Sequence, residues 1–261
     1  MNKLIILAVV FLGIVLSFCG CEKQPTETTI ALEEINCKLT EEEKFQIMKI
    51  ADYEFDFYHS IFKEKYPTLK VKIFGDSTEY REYQKKISKT KATNGFYSQS
   101  KKVCIINKND HFMKTIFHEL NHFIIHYYLI LVPKWINEGL SEYFEYSTVE
   151  DSIVQINKQP KKAERLNRWT SERSKIDLAD FFTWSSNRWE EENSSPDFYS
   201  SSLSWGLIYF FMEDELRREI LIQIITAIRK GKNSTEAINE FYPGGIEQIQ
   251  FDFVIYIDLK L

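Results

Sequence analysis

The sequence has no excess of basic residues, no internal repeat and no low-complexity segment. Its net charge is −5 at pH 7, and its lysines and arginines form no basic stripe, so we expect no nucleic-acid partner. Cysteine is scarce, with four in 261 residues. Beyond residue 21 only Cys37 and Cys104 remain. The sequence leaves open whether these two pair in an oxidising compartment or stay as separate buried thiols.

The first twenty residues are typical of an export signal. A short positive segment, Met1–Lys3, precedes an apolar core, Leu4–Phe18, which favours a secretory signal over a membrane-spanning helix. The run Phe18-Cys19-Gly20-Cys21 resembles a bacterial lipoprotein cleavage site, with a small glycine before the second cysteine. We therefore predict that Cys21 is lipidated and that the protein is exported to the cell envelope, lipid-anchored to a bacterial membrane.

These signals divide the chain into three parts. Residues 1–20 are the predicted lipoprotein signal peptide, and residues 21–35 are the lipidated cysteine with a flexible, polar tether. Residues 36–261 are long enough for one domain with a substantial core, which we expect to be monomeric.

The stretch His118-Glu119-Leu120-Asn121-His122 has the pattern H-E-x-x-H and lies in a segment, residues 110–132, that is predicted to be one helix. Consecutive turns place the two histidines on one face about 6 Å apart, so both imidazoles can bind one Zn²⁺. Glu119 lies about 100° round the helix, where it can accept a proton from water but is wrongly aimed to be a ligand.

Zinc needs a third protein ligand. The metzincin pattern, with a histidine six residues after His122, is absent because Tyr128 stands there. His126 lies about 12 Å from His118 by helical rise, too far to share one ion on a straight helix, which favours a structural role for His126. Glu138 is the better candidate, because it follows a chain reversal and opens a second helical pattern, residues 135–146.

The two motifs together, His118–His122 and the Trp-Ile-Asn-Glu-Gly run that starts at Trp135, resemble the gluzincin metallopeptidases. Those enzymes combine H-E-x-x-H with a glutamate from a downstream helix. The resemblance implies one Zn²⁺ per chain, held by His118, His122 and Glu138, with Glu119 as the general base. It also implies a peptide or protein substrate.

The resemblance also implies roles for residues outside these motifs. Glu142, four residues after Glu138, matches a carboxylate that accepts a hydrogen bond from the first histidine, and Tyr199 matches a tyrosine that approaches the substrate carbonyl. Fifteen residues separate His122 from Glu138, fewer than in the large gluzincins, which indicates a small bacterial gluzincin-like domain. A G-x-M-E-N run is absent, which argues against N-terminal exopeptidase activity.

The predicted fold class is α+β, mainly helical, with a small mixed sheet before the H-E-x-x-H helix and a helical C-terminal part. The capping box at Thr40 predicts the first helix, and the alternation of Leu69–Phe74 predicts a strand. Two segments, 95–98 and 102–107, predict a hairpin. Its second strand, Val103–Ile106, is either an edge strand that pairs with extended substrate or an ordinary inner strand.

The C-terminal part is predicted to be helical from residue 198, with further helices over residues 219–229 and 234–241. We expect residues 151–174 to be a loop or two short helices, and residues 184–196 to be a mobile surface loop. Zinc-dependent hydrolysis of peptide bonds is the expected function. The alternative is a surface lipoprotein that uses a metallopeptidase-like fold for binding, although a structural site would have no use for Glu119.

Overall fold

The computed structural model describes residues 30–65, 67–171, 176–196 and 198–261. The predicted signal peptide, Cys21 and most of the predicted tether lie outside the described residues. Within the described part, no helix is both long enough and apolar enough to span a membrane.

A four-stranded mixed sheet forms one part of the fold. Its strands are β1 (Ile30–Ile35), β2 (Leu69–Phe74), β3 (Gly95–Ser98) and β4 (Val103–Asn107). They lie in the order β1-β2-β4-β3, with β1, β2 and β4 parallel and β3 antiparallel to β4. The sheet precedes the H-E-x-x-H helix, and helices make up most of the rest, so the predicted α+β class is confirmed.

The structure corrects one prediction about the sheet and decides between the two alternatives for Val103–Ile106. The tether was predicted to reach residue 35, but Ile30–Ile35 form β1, which pairs with β2 in register from Ile30–Leu69 to Ile35–Phe74. Val103–Ile106 is not an edge strand, because β4 lies between β2 and β3 and is buried throughout. β3 is the edge strand beside the H-E-x-x-H helix, as the approach of Gly95 to Thr115 shows.

Helices α1 (Glu41–Phe62) and α2 (Ser77–Ile87) connect the first strands. α1 begins with the predicted capping box, in which the Thr40 hydroxyl accepts from the Glu43 N–H and the Glu43 carboxylate accepts from the Thr40 N–H. α1 crosses over between the parallel strands β1 and β2, so its C-terminal end returns to the end of the sheet where both strands begin. α2 is capped by Asp76.

Helices α3 (Phe112–Tyr128) and α4 (Lys134–Glu145) carry the two motifs. α3 is shorter than predicted: it begins after His111, whose N–H is bonded by the Asn109 side chain, and it ends before Leu129. Asn109 and Asp110 therefore lie in the turn that precedes the helix. α4 follows after a short loop and packs across α3, which brings the second motif onto the first.

The C-terminal part is a hairpin followed by seven helices within the described residues. These elements are β5 (Ser147–Glu150), β6 (Ile153–Ile156), α5 (Pro160–Ser171), α6 (Leu178–Phe181), α7 (Ser186–Asn193), α8 (Tyr199–Met212), α9 (Glu215–Arg229), α10 (Ser234–Phe241) and α11 (Gly245–Lys260). α8 is buried over nearly its whole length and forms the core of this part, with α4, α5, α9 and α11 packed around it.

Three expectations for this region need correction. The stretch 151–174 contains part of a β-hairpin and α5 rather than a loop or two short helices. The predicted surface loop at 184–196 contains α7. This helix is packed onto the core through Trp189, which is 3% exposed and contacts Phe181. α9 begins at Glu215, where Asp214 caps it, four residues before the predicted start.

Candidate metal centre

The two motif histidines lie in the middle of α3, on the side that faces α4. α3 is buried on most of its circumference, and residues such as Ile116, Leu120 and Ile124 are fully buried and hold it against the sheet and α1. The helix cannot rotate without exposing these side chains. The imidazoles of His118 and His122 are therefore fixed in direction by the packing of the helix that carries them.

Three potential ligand atoms converge at this point. Nε2 of His118 lies 3.1 Å from Nε2 of His122, and Oε2 of Glu138 lies 3.9 Å and 3.7 Å from these two nitrogens. Tetrahedral Zn²⁺ with ligands at about 2.0–2.1 Å separates those ligands by about 3.3–3.4 Å. The triangle is thus close to one face of a zinc tetrahedron, slightly open towards Glu138. The predicted ligand set is brought together, and its size fits one zinc ion.

The outward nitrogen of His118 is held by a carboxylate. Its Nδ1 lies 3.1 Å from Oε2 of Glu145, so Nδ1–H can donate and leave the Nε2 lone pair for a metal. In the metal-free protein, burial lowers the pKa of His118. The hydrogen bond to Glu145 and the charges of Glu119, Glu145 and Glu142 raise the pKa more, to about 10. This carboxylate environment favours positive charge at the site.

The outward nitrogen of His122 is held by neutral groups on α4. Its Nδ1 lies 3.0 Å from Oδ1 of Asn137 and 3.1 Å from Oγ of Ser141. The Ser141 hydroxyl donates to the backbone carbonyl of Asn137 and accepts from the Asn121 amide, whose oxygen accepts from the Tyr58 hydroxyl. This buried chain fixes the ring of His122 so that Nε2 faces the other two ligand atoms.

Glu138 reaches the histidines because α4 packs closely against α8, which lies on its other side. A Cβ on Gly139 would lie 2.6 Å from Cγ1 of Ile208 and 2.7 Å from the carbonyl oxygen of Ser204, so only glycine permits this approach of α8. Burial alone would raise the pKa of Glu138, but His122, His118 and nearby lysines lower it more, which keeps the carboxylate charged. One of those lysines, Lys134, lies 3.7 Å from Oε1.

Residues 112–233 match the family described as "Protein of unknown function (DUF1570)". The match covers less than half of the chain, but it begins with α3 and includes all three converging residues. A comparison with curated proteins found no match.

A small cleft opens beside His118. Its volume is about 230 Å³, and its lining includes His118, Glu119 and Glu145 on one side and residues 92–95, which lead into β3, on the other. Glu119 is 9% exposed, so its side chain belongs to the wall of the cleft rather than to the surface. The cleft therefore offers space for a reacting group next to the candidate general base.

Glu142 does not take the place that the resemblance implies. Glu145, not Glu142, accepts from His118, and Glu142 forms an ion pair with Lys162 on α5. Ligand atoms of His118, Glu142 and Glu145 also lie within 4.8 Å of one another. A cation already neutralises this second group, because the Lys162 ammonium contacts Glu142. The triangle that contains both histidines is therefore the better candidate for a metal site.

Tyr199 lies at the start of α8 in an aromatic cluster. Its ring centre is 4.6 Å from that of Trp169 and 5.7 Å from that of Trp184. Burial is the largest cause of a raised pKa at Tyr199, and the nearby charges that affect it belong to Arg188 and to carboxylates of α6, α7 and the turn before α6. These contacts explain a packing role, and the predicted contact with the substrate carbonyl stays a prediction.

His126 lies one turn beyond the metal-facing histidines and points elsewhere. Its ring stacks on Tyr97 of β3, with planes 18° apart, and its pKa is lowered mainly by burial. The structural role favoured from helical spacing fits these contacts. The two cysteines are also structural: Cys37 and Cys104 are free thiols, and each contacts a backbone carbonyl oxygen.

Sequence reasoning missed five residues that position the histidines: Tyr58, Asn121, Asn137, Ser141 and Glu145. Asn121 lies inside the first motif, and Ser141 lies one helical turn after Asn137 on the same face of α4. Their polarity on otherwise apolar, buried faces was a signal that could have identified them. Tyr58 had no such signal, because its partner is 63 residues away along the chain.

Proposed function

We propose that this chain is a zinc-dependent peptide hydrolase of the gluzincin type, exported and anchored to a membrane through Cys21. The observation that carries the proposal is the convergence of two Nε2 atoms and one carboxylate oxygen, with both Nδ1 atoms held from behind. Helical spacing alone places the histidines, but not the polar partners that aim them. Such partners are typical of histidines that bind metal.

The donor set favours zinc. Two imidazole nitrogens and one carboxylate form a three-ligand set that leaves a fourth position open, as in catalytic rather than structural zinc sites. When bound, zinc acts as a Lewis acid that lowers the pKa of water and polarises a carbonyl group.

The residues of the chain supply the remaining steps. Glu119, in the wall of the cleft, accepts the proton of the attacking water and then delivers it to the nitrogen of the departing amine. Glu145 and Asn137 hold the histidines in place while charge develops. The edge strand β3 borders the cleft and has no strand partner on its outer side among the described residues, so an extended peptide can pair with it.

The test is a pair of substitutions assayed for zinc content and for cleavage of a peptide library. Glu119→Gln should retain about one zinc per chain and lose activity by about 10²–10⁴-fold, because it removes only the proton acceptor. Glu138→Ala should lose zinc, because two ligands remain. His126→Gln is the control on the same helix and should retain both zinc and activity.

The same assay distinguishes peptide hydrolysis from the alternative function, which is binding. If the wild-type chain binds zinc but cleaves no peptide in the library, the chain is better explained as a surface lipoprotein that uses this fold for binding. Normal cleavage by Glu119→Gln would show that another residue moves the proton. Full zinc content in Glu138→Ala would remove Glu138 from the ligand set.

A further inference from the structure

The end of the molecule opposite the cleft carries two almost fully exposed apolar side chains. Ile130 is 89% exposed and Leu131 is 84% exposed, in the loop between α3 and α4. We call these two residues the apolar tip. Beside the tip runs an open, mainly apolar groove of about 720 Å³ between residues 128–133 and residues 228–233. Adjacent large side chains this exposed are uncommon on a soluble surface and mark a contact site.

The same end is where the chain enters the sheet. Ile30, the first residue of β1, pairs with Leu69 at the start of β2. Leu69 follows closely on Lys65, whose carbonyl oxygen accepts from the Tyr128 hydroxyl at the end of α3, directly before the tip. The Phe62 ring at the end of α1 stacks on the Tyr128 ring. The segment that precedes Ile30 therefore joins the structure at the same end as the apolar tip.

The turn between β3 and β4 lies at this end as well. α3 runs along β3 so that Gly95 is close to Thr115 near its start, whereas Tyr97 stacks on His126 near its end. The turn after Ser98 is thus at the C-terminal end of α3. α9 also ends here, because Arg229 contacts both Glu64 and the Phe62 ring.

Exposed lysines lie at the same end of the molecule as the tip, although the chain as a whole is acidic. The exposed lysines at this end are Lys63, Lys65, Lys70, Lys101, Lys102, Lys230 and Lys232. Of these lysines, Lys232 is neutralised by an ion pair with Glu240. The nearby Arg229 is neutralised by Glu64. The other lysines give this end a positive charge, in contrast to the net charge of −5 for the chain. We call these lysines and the apolar tip together the basic end.

We propose that the basic end docks on an anionic phospholipid bilayer, with Ile130 and Leu131 inserted at the level of the headgroups and the lysines against the phosphates. Apolar insertion combined with electrostatic attraction is the usual physical basis of peripheral membrane binding. The position of Ile30 selects lipid over a protein partner. Eight residues separate Cys21 from Ile30, so the proposed lipid on Cys21 would keep this end within about 30 Å of the bilayer.

Docking in this way leaves the candidate metal centre accessible. His118 lies ten residues before Tyr128 on α3, which corresponds to about 15 Å along the helix axis. The cleft opens beside the first turns of α3 and the start of β3, at the far end from the tip. A peptide approaching from the aqueous side can therefore reach the cleft while the basic end stays on the membrane.

The test uses the full-length chain incorporated through its N-terminal segment into vesicles, and measures amide hydrogen exchange. The vesicles contain phosphatidylcholine alone or an equal mixture of phosphatidylcholine and phosphatidylglycerol. Relative to the protein in detergent, exchange in residues 129–132 and 230–233 should slow by at least about tenfold on the anionic vesicles and much less on the neutral ones. Salt should reverse the slowing.

Two variants make the readout specific. Ile130→Ser with Leu131→Ser should abolish the slowing at residues 230–233. Leu216→Ser, which changes an equally apolar residue with 76% exposure at the other end of α9, should leave it intact. Zinc content and peptide cleavage should be unchanged in both variants, so failure of the docking proposal is distinguishable from failure of the proposed activity.

Three outcomes would overturn the proposal. Exchange at residues 129–132 that is equal in detergent and on anionic vesicles would show that lipid does not cover the tip. Equal slowing on neutral and anionic vesicles would contradict the assignment of anionic lipid. Slowing that appears in detergent and grows with protein concentration would identify a second copy of the chain as the occupant.

Discussion

His118 Nδ1 lies 3.1 Å from Oε2 of Glu145, so the carboxylate that aims this histidine is the last residue of α4. Glu138, on the same helix, places Oε2 3.9 Å from the other ring nitrogen, Nε2. α4 thus holds His118 from both sides, through residues two helical turns apart. Movement of α4 relative to α3 would disturb the ligand and the orienting carboxylate together.

Glu145→Ala should lower the affinity for zinc by about 10–100-fold, because His118 loses the acceptor that fixes its ring and its tautomer. Glu142→Gln should cause a smaller loss, since Glu142 contacts Lys162 rather than Nδ1 of His118. Zinc affinity can be measured by competition with a chromogenic chelator. A greater loss in Glu142→Gln than in Glu145→Ala would show that Glu142 orients the histidine.

Lys162→Met should destabilise the fold by about 3 kcal/mol at neutral pH, because it leaves Glu142 buried without a counter-charge. Both partners are largely buried, with side chains 10% and 15% exposed, so solvent cannot replace the lost cation. Burial and the neighbouring Glu145 already raise the pKa of Glu142. Adding Glu142→Gln to Lys162→Met should recover most of the lost stability in urea denaturation. No recovery would mean that Lys162 acts through packing rather than charge.

The elements predicted well from the sequence are those with local causes. The capping box at Thr40, the alternation in Leu69–Phe74 and the turn between β3 and β4 depend on residues close together in the chain. The convergence of the three candidate ligands was also predictable, since a helical turn fixes His118 and His122 and the second motif marks Glu138. Local spacing carries that information without knowledge of the packing.

The missed features depend on contacts distant in sequence. β1 is a strand because β2 lies beside it, and its own residues mix apolar and acidic side chains that also suit a tether. α7 has a polar sequence and is fixed by one buried residue, Trp189. The choice between Glu142 and Glu145 depends on the rotation of α4 about its axis, which its packing on α8 and the position of Lys162 set.

Gly139→Ala should destabilise the protein by about 1–3 kcal/mol, although alanine is intrinsically the better helix former. The added Cβ would meet the backbone carbonyl of Ser204, which cannot move aside without displacing α8 from α4. Zinc affinity should fall as well, because displacing residue 139 would also displace Glu138.

Gly206→Ala is the matched control for this substitution. It also places a methyl group between buried helices, but its nearest contact is Cδ1 of Leu166, the end of a flexible side chain. This variant should lose less stability than Gly139→Ala and should bind zinc normally. Thermal unfolding and chelator competition on both variants give the comparison. Equal zinc affinity in wild type and Gly139→Ala would show that α4 tolerates displacement without moving its carboxylate.

Glu54 on α1 is fully buried, and neither carboxylate oxygen has a hydrogen-bond partner among the described residues. The titratable groups that interact with it are His118, Tyr58 and Cys104. Burial raises its pKa well above the ordinary value, and His118 lowers it by a smaller amount. The folded chain therefore keeps a proton on Glu54 at a pH where the unfolded chain has lost it.

Glu54→Gln should remove a pH-dependent loss of stability. Above the unfolded pKa of about 4.3, each pH unit costs the wild type about 1.4 kcal/mol from this group, until the folded pKa is reached. The stability difference between Glu54→Gln and wild type should therefore grow from about pH 5 to pH 7 in urea denaturation with EDTA present. Glu82→Gln, an exposed change on α2, should give a constant difference. A constant difference for Glu54→Gln would instead mean that Glu54 is ionised in the folded protein, and a buried carboxylate in that state must have a cationic partner.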